Sequence, residues 1–383
     1  MIRTPARNIT TARSLISKLF LLAIAVAFAF IVMPANVSGR GAAHRRTTHS
    51  TRRRRYYRYR GVPTYMPDPA AGDDSRFDDP VVRQAALDAL GRQNGSVVAV
   101  DPSTGRILTI VNQKLAYSAG FEPCSTTKPI IAVAALENGV VTPDTMIRVG
   151  QRRYMDMTEA LAHSNNNFFE ELGRRLGFDT VWHYDHVFGL GQRTGFDIRG
   201  EQPGFLPATP PRRGGVARMC SFGEGIRITP LQLASVVSTI ANGGTIYYLQ
   251  YPQTRSAVSD FAPRVRRTLA IAPMLPELRQ GMLAAVLYGT ARLSDDPEGE
   301  QTLGKTGTCD DERVGGRLGW FASYADQAHP KLVLVVLLRG GTRIVSGPHA
   351  ADVAGKIYRD LYQQNYFADN SGGQPVAAVN PQR

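Results

Sequence analysis

The 383-residue chain carries 45 Lys and Arg against 32 Asp and Glu, a formal net charge of +13, and 43% of its residues are hydrophobic. That length and apolar content suffice to bury a full core, as one large domain or two ordinary ones. Residues 1 to 60 hold 13 of the bases and no acid, which leaves 32 of each in the remainder, so the folded part is neutral and all the excess sits in the leader.

Arg3, Arg7, Arg13 and Lys18 precede an apolar run from Leu19 to Met33, closed by Pro34-Ala35-Asn36. Positive charge followed by an apolar run is the pattern of an export signal. The run is shorter than the ~20 residues that span a bilayer, so it reads either as a cleaved signal or as a short anchor. The preferred reading is export with an anchor over residues 1–36, to the outer face of the cytoplasmic membrane or the periplasm. Residues 37–80, first basic and then rich in Pro, Gly and Asp, read as a linker. Within it, Arg52-Arg53-Arg54-Arg55-Tyr56-Tyr57-Arg58-Tyr59-Arg60 has residue types that contact phosphates and stack on bases. Behind an export signal it reads instead as a solvated segment on anionic headgroups or envelope polymer, with no nucleic-acid partner. Nine bases after the apolar run oppose outward translocation under the positive-inside rule, a conflict that the sequence leaves standing.

From Val81 to Arg92 the spacing is helical. Ser96 to Val100 and Arg106 to Val111 predict two strands around a Gly-ended loop. Next comes Pro123-Cys124-Ser125-Thr126-Thr127-Lys128-Pro129 at the head of an apolar, helix-like run. Positions i and i+3 share a helix face, which brings the Lys128 amine within reach of the Ser125 hydroxyl. Met157 to Gly173 reads as a helix interrupted at Ser164-Asn165-Asn166, and Thr229-Pro230 starts a helix that stops at Asn242-Gly243-Gly244. Three late strands are predicted at Leu303 to Cys309, Leu318 to Tyr324 and Lys331 to Leu338. The last is apolar on both faces and so should be central. A helix from about His349 to Gln364 closes the fold, and the small, polar tail, residues 369–383, reads as disordered. Strands from both ends of the chain therefore meet in one α+β sheet, with a helical part, about 125 to 295, inserted between them and a groove at their junction.

A lone Ser-x-x-Lys arises by chance roughly once in a chain this long. Here Ser125-x-x-Lys128, Ser164-x-Asn166 and Lys305-Thr306-Gly307 follow one another in that order, and the chain resembles the penicillin-binding protein transpeptidases, whose motif set this is. Val98 to Leu108, Thr194 to Glu201 and Gly223 to Ala234 also resemble segments of that family, so the similarity runs over roughly residues 81 to 366. The resemblance implies a β-lactamase/transpeptidase-like fold: a five-stranded antiparallel sheet flanked by helices, with an inserted, mostly helical subdomain, over residues 81–368. It implies acyl transfer from D-alanyl-D-alanine ends of peptidoglycan stem peptides and inhibition by β-lactams, with no cofactor; no metal is implied, since His163, His183, His186 and His349 form no ligand spacing. Cell-wall synthesis proteins are the partners it suggests.

Residue by residue, the resemblance makes Ser125 the nucleophile and Lys128 its base, with the ammonium form disfavoured by burial and by Lys305. Ser164 relays a proton to the departing D-alanine, and Asn166 holds a substrate amide. Lys305, Thr306 and Thr308 line the strand edge that takes the terminal carboxylate, and Gly307 allows close approach. The N–H groups of Ser125 and Thr308 form the oxyanion hole. Glu201 reads as a surface salt-bridge partner. The family usually has glycine where Cys124 stands. Because its fold sets the first and third motifs side by side, Cys124 and Cys309 are a candidate disulfide, with buried unpaired thiols, Cys220 among them, as the alternative. A serine β-lactamase is disfavoured, since no Glu-x-x-Leu-Asn follows Ser164. A non-catalytic β-lactam or muropeptide sensor would carry more membrane spans or an output domain. Transpeptidase and carboxypeptidase share one acyl-enzyme, and the sequence does not separate them.

Overall fold

The computed structural model describes residues 61–368 apart from 312, 314 and 326–329, so the leader, the basic stretch and the tail lie outside the described residues. Helix α1 (Pro80–Leu90) starts at Asp79, whose carboxylate accepts from the N–H groups of Val81 and Val82, with Pro80 just inside the first turn. Strands β1 (Gly95–Val100) and β2 (Ile107–Val111) form the first hairpin. The chain then enters the helical part. A 3₁₀ turn (Cys124–Thr127) runs into α2 (Lys128–Glu137), followed by α3 (Met157–Ala162), α4 (Asn166–Leu176), α5 (Phe178–Val187), α6 (Gly215–Phe222), α7 (Pro230–Ala241) and α8 (Leu275–Leu287). It returns to the sheet as β3 (Thr302–Asp311), β4 (Gly316–Ala325) and β5 (Leu332–Gly340) and closes with α9 (Gly347–Gln363).

The five strands lie in the order β2-β1-β5-β4-β3, every neighbouring pair antiparallel. β5 is the middle strand, buried along its length except at the half-buried Arg339. Its alternation feeds two cores. Val333, Val335 and Leu337 face the helical part, whereas Leu332, Leu334, Val336 and Leu338 pack under α1 and α9. Each such fully buried aliphatic side chain contributes about 1.5–3 kcal/mol relative to exposure. All residues of α7 are buried, and it packs against β1, β4 and β5. Its start is held by a capping box between Thr229 and Gln232.

The structure departs from the expected linker. Residues 61–79 dock on the sheet: Asn94 Nδ2 donates to the Pro63 carbonyl at 2.7 Å, and its N–H donates to Thr64 at 2.9 Å. Arg83 is clamped between Asp73 and Asp78 at 3.2 and 2.9 Å. Its acids are acceptors, Asp73 also capping the N–H groups of Asn112 and Gln113 at 2.9 and 2.8 Å. No described helix is long and apolar enough to cross a membrane.

Candidate active site

Ser125 lies in the 3₁₀ turn, 9% exposed, just after Cys124, whose φ is +55°. The chain entering the turn is fastened from two sides. Phe121 and Ile228 exchange backbone hydrogen bonds of 2.8 Å, and Trp320 Nε1 donates to the Glu122 carbonyl at 3.0 Å. Ser125 Oγ donates to the Ser221 carbonyl at 3.3 Å. Spacing alone predicted a contact with the Lys128 amine there, and the structure corrects this. Lys128 Nζ donates to the Ser164 carbonyl at 2.7 Å, to Ser164 Oγ at 3.2 Å and to Asn166 Oδ1 at 2.7 Å. A fully buried amine must be satisfied, and the Ser164–Asn166 turn offers three acceptors where Ser125 offers one.

That turn has a local cause. Ser164 takes a left-handed conformation, φ +54°, ending α3, and Asn165 caps α4 by accepting from Phe168 N–H at 3.0 Å. The helix predicted across this motif is thus broken into two, and the break points the Ser164 carbonyl and the Asn166 amide at Lys128.

Burial lowers the Lys128 pKa well below that of a free lysine, with Lys305 as second cause, and the Glu170 carboxylate opposes the shift. Lys305, 1% exposed, is brought down to about 7 by burial, and its Nζ donates to the Thr306 carbonyl at 3.0 Å.

The third motif lies on β3, an edge strand that among the described residues pairs with β4 alone. Alternation sends Lys305 and Gly307 to the face of the nucleophile turn, and Thr306 and Thr308 to the face of α9. Thr308 Oγ1 accepts from Gly347 N–H at 2.7 Å. Thr306, expected to line the carboxylate-binding edge, is 4% exposed with its hydroxyl 2.6 Å from that of Thr290, so packing occupies it. Gly307 lies flush with the turn: a Cβ there would meet the Pro123 carbonyl at 2.9 Å, Thr126 Cγ2 at 3.0 Å and Cys124 Cβ at 3.2 Å. Cys124 and Cys309 form a disulfide across this contact, and Cys220 is free and buried.

Sequence reasoning missed Ser221 and Glu170. Ser221, buried on α6, receives the Ser125 hydroxyl and lies 3.5 Å from Glu170 Oε1 through its own Oγ. Cys220-Ser221 carries no motif, so only tertiary packing marks it. Glu201 is not a surface salt-bridge partner: 1% exposed, it accepts from Thr194 N–H, Thr194 Oγ1 and Gly195 N–H at 2.7–2.8 Å and ties its own loop. A cavity of about 800 Å³ opens at Thr308 and Cys309, with Glu122, Arg218, Glu224 and Asp311 among its walls. Ser125, Lys128 and Ser164 are not among its walls.

The sequence model of the penicillin binding protein transpeptidase domain matches residues 95–363. The chain is 31% identical to stage V sporulation protein D of Bacillus subtilis over 294 residues, 68% of this chain and 44% of that protein. It is 26% identical to peptidoglycan D,D-transpeptidase FtsI of Escherichia coli over 321 residues, 73% of this chain and 51% of that one. It thus spans about half the length of these relatives. Among solved structures, the TP domain of Burkholderia pseudomallei penicillin-binding protein 3 superposes with a TM-score of 0.64 at 22% identity, covering 76% of this chain and 94% of that one.

Proposed function

The chain belongs to the penicillin-binding protein transpeptidases, and from that premise we propose that it is a serine-type D,D-transpeptidase acting on peptidoglycan stem peptides in the cell envelope. One observation carries this reading: the buried Lys128 amine is bonded at once to Ser164 and Asn166, which couples the first motif to the second. Burial, with Lys305 as second cause, pushes the Lys128 pKa well below the usual range and so favours the neutral amine. In that form it donates to the Ser164 and Asn166 carbonyl oxygens and keeps a lone pair for a hydroxyl proton.

Ser125 Oγ turns from the Ser221 carbonyl and attacks the penultimate D-alanine carbonyl carbon, its proton passing to Lys128 Nζ. The backbone N–H groups of Ser125 and Thr308 take the oxyanion. Ser164 then gives its proton to the departing D-alanine nitrogen and regains one from Lys128, the C–N bond breaks, and an ester to Ser125 remains. An amine from a second stem peptide attacks that ester to form a cross-link; water attacking instead gives carboxypeptidase chemistry. The Lys305 ammonium anchors the terminal carboxylate, and Asn166 Nδ2 is left to bind a substrate carbonyl. A β-lactam presents the same carbonyl and carboxylate, which makes it an inhibitor. Residues 1–36 place the chain at the membrane, beside other cell-wall synthesis proteins.

The test is a time course of labelling of the full chain by a fluorescent penicillin, with Ser125→Ala as control. Stable label in the wild type alone is the expected result, and absence of label overturns the reading. Rapid release of label would move the assignment to a β-lactamase. Products from a D-alanyl-D-alanine peptide, with and without an acceptor amine, separate cross-linking from trimming.

A further inference from the structure

Cys124 immediately precedes Ser125, Cys309 immediately follows Thr308, and the two cysteines are bonded. The link therefore joins the two segments whose N–H groups are to meet the oxyanion. β3, as a sheet edge, has hydrogen-bonded strand support among the described residues on the β4 side alone. Toward the nucleophile turn it is held by contact across Gly307 and by this link, over a Cα–Cα distance of 5.5 Å. Cys124 also occupies a left-handed conformation, φ +55°, that favours glycine. A side chain retained against that preference supplies something glycine cannot.

We propose that the Cys124–Cys309 disulfide is a positioning element of the acyl-transfer site, holding the β3 edge against the nucleophile turn so that the Ser125 and Thr308 amides face one oxygen. The proposal rests on Ser125 being the nucleophile. It makes the site sensitive to dithiols. Cys124 is fully buried, whereas Cys309 is partly exposed and lines the 800 Å³ cavity, so a reductant reaches the bond at the Cys309 sulfur. A dithiol's thiolate attacks there, Cys124 leaves as a thiolate and takes a proton, and the reductant's second thiol closes its own disulfide, releasing Cys309 as a thiol. Two electrons pass from the dithiol to the protein. Cys220 does not enter the exchange, since it is buried and burial raises its pKa well above that of a free thiol. The five-stranded ladder and both cores remain when the bond opens.

The experiment measures penicillin acylation of the full chain over a range of drug concentrations, with and without dithiothreitol, which separates drug binding from the acylation step. Reduction is expected to slow the acylation step about tenfold, since an ångström of misplacement costs up to ~10²-fold, with binding changed less than about twofold. Cys309→Ala and Cys124→Gly are expected to show the slow step without reductant and no further response to it. Glycine fits the Cys124 backbone, so that variant folds. Wild-type acylation by Cys124→Gly or by the reduced protein would overturn the proposal, because a bond that only stabilises the fold leaves the rate intact below the unfolding temperature. Hydrogen exchange decides the clamp independently of activity: reduction must raise exchange in the Cys124–Thr127 turn and β3, and unchanged exchange there overturns it. Failure of the oxidised wild type to label counts against Ser125 as nucleophile and leaves the clamp to the exchange result.

Discussion

Lys128 Nζ lies 2.7 Å from Asn166 Oδ1, a neutral acceptor, in a site that otherwise offers the amine a backbone carbonyl and a hydroxyl. Asn166→Asp replaces that acceptor with an anion and favours the ammonium. If Lys128 must be neutral to accept the Ser125 proton, acylation requires a pH above its pKa, so the acidic limb of the rate profile should move up by about 1–3 pH units. Asn166→Ala should not move it upward. An unshifted limb in Asn166→Asp would remove Lys128 from the role of base.

Lys305 answers to the opposite requirement. Held to about 7 by burial, it carries charge below that pH and loses it above. An anchor for a carboxylate must be charged, so KM for a D-alanyl-D-alanine peptide should climb as pH rises past 7. Lys305→Ala should raise KM by at least about tenfold at pH 6, a loss of ~1.4 kcal/mol, and by much less at pH 9. Equal effects at both pH values would mean that Lys305 packs the cleft without anchoring substrate.

At Gly307 a methyl group has nowhere to go, with the Pro123 carbonyl 2.9 Å from where its carbon would sit. Gly307→Ala should push β3 off the nucleophile turn, slowing penicillin acylation by about 10²-fold through misplacement and lowering stability by about 1–3 kcal/mol through overpacking. Acylation rates with denaturant unfolding would show both. Loss of stability with an unchanged rate would mean that the strand edge takes no part in acylation.

Asp185, fully buried on α5, has no hydrogen-bond partner for either oxygen among the described residues, and burial raises its pKa to about 8. The unfolded chain releases this proton near pH 4 and the native protein only near 8, so between those values the native state binds more protons. Stability then falls as pH rises from about 4 to 8. Asp185→Leu should flatten that slope and add roughly 2–4 kcal/mol at pH 7.5, since keeping the carboxyl protonated through each tenfold fall in proton concentration costs about 1.4 kcal/mol. Thermal unfolding at pH 5 and 8 measures it, and an unchanged slope would show that Asp185 finds a partner.

The sheet was legible because its strands announce themselves. β5 is apolar on both faces and lies in the middle, and the β1–β2 hairpin surrounds an obvious loop. The Ser125, Ser164 and Lys305 motifs were legible as local patterns. Which partner each side chain chooses was not. Lys128 takes Ser164 and Asn166 over Ser125 because burial selects acceptors by reach, and reach is a tertiary property. Glu201 read as a surface salt-bridge partner and Asp73 and Asp78 as part of a linker, yet each closes a loop by accepting buried N–H or guanidinium protons. Composition cannot tell a solvated carboxylate from one that organises backbone.

The inserted helical part also governs how the chain reaches its native state. β1 pairs in register with β5, Gly95 opposite Leu338 and Val100 opposite Val333, across most of the domain's sequence. Each strand has a near neighbour on one side, β2 for β1 and β4 for β5, but the seam between them closes only after the whole helical insert has been made and its ends brought together. Such non-local closure folds slowly and exposes unpaired apolar strands on the way. A chain of this design should therefore depend on holdase protection until its last strand emerges, and a circular permutant opened within the insert, with the native termini joined, should refold faster than the natural order.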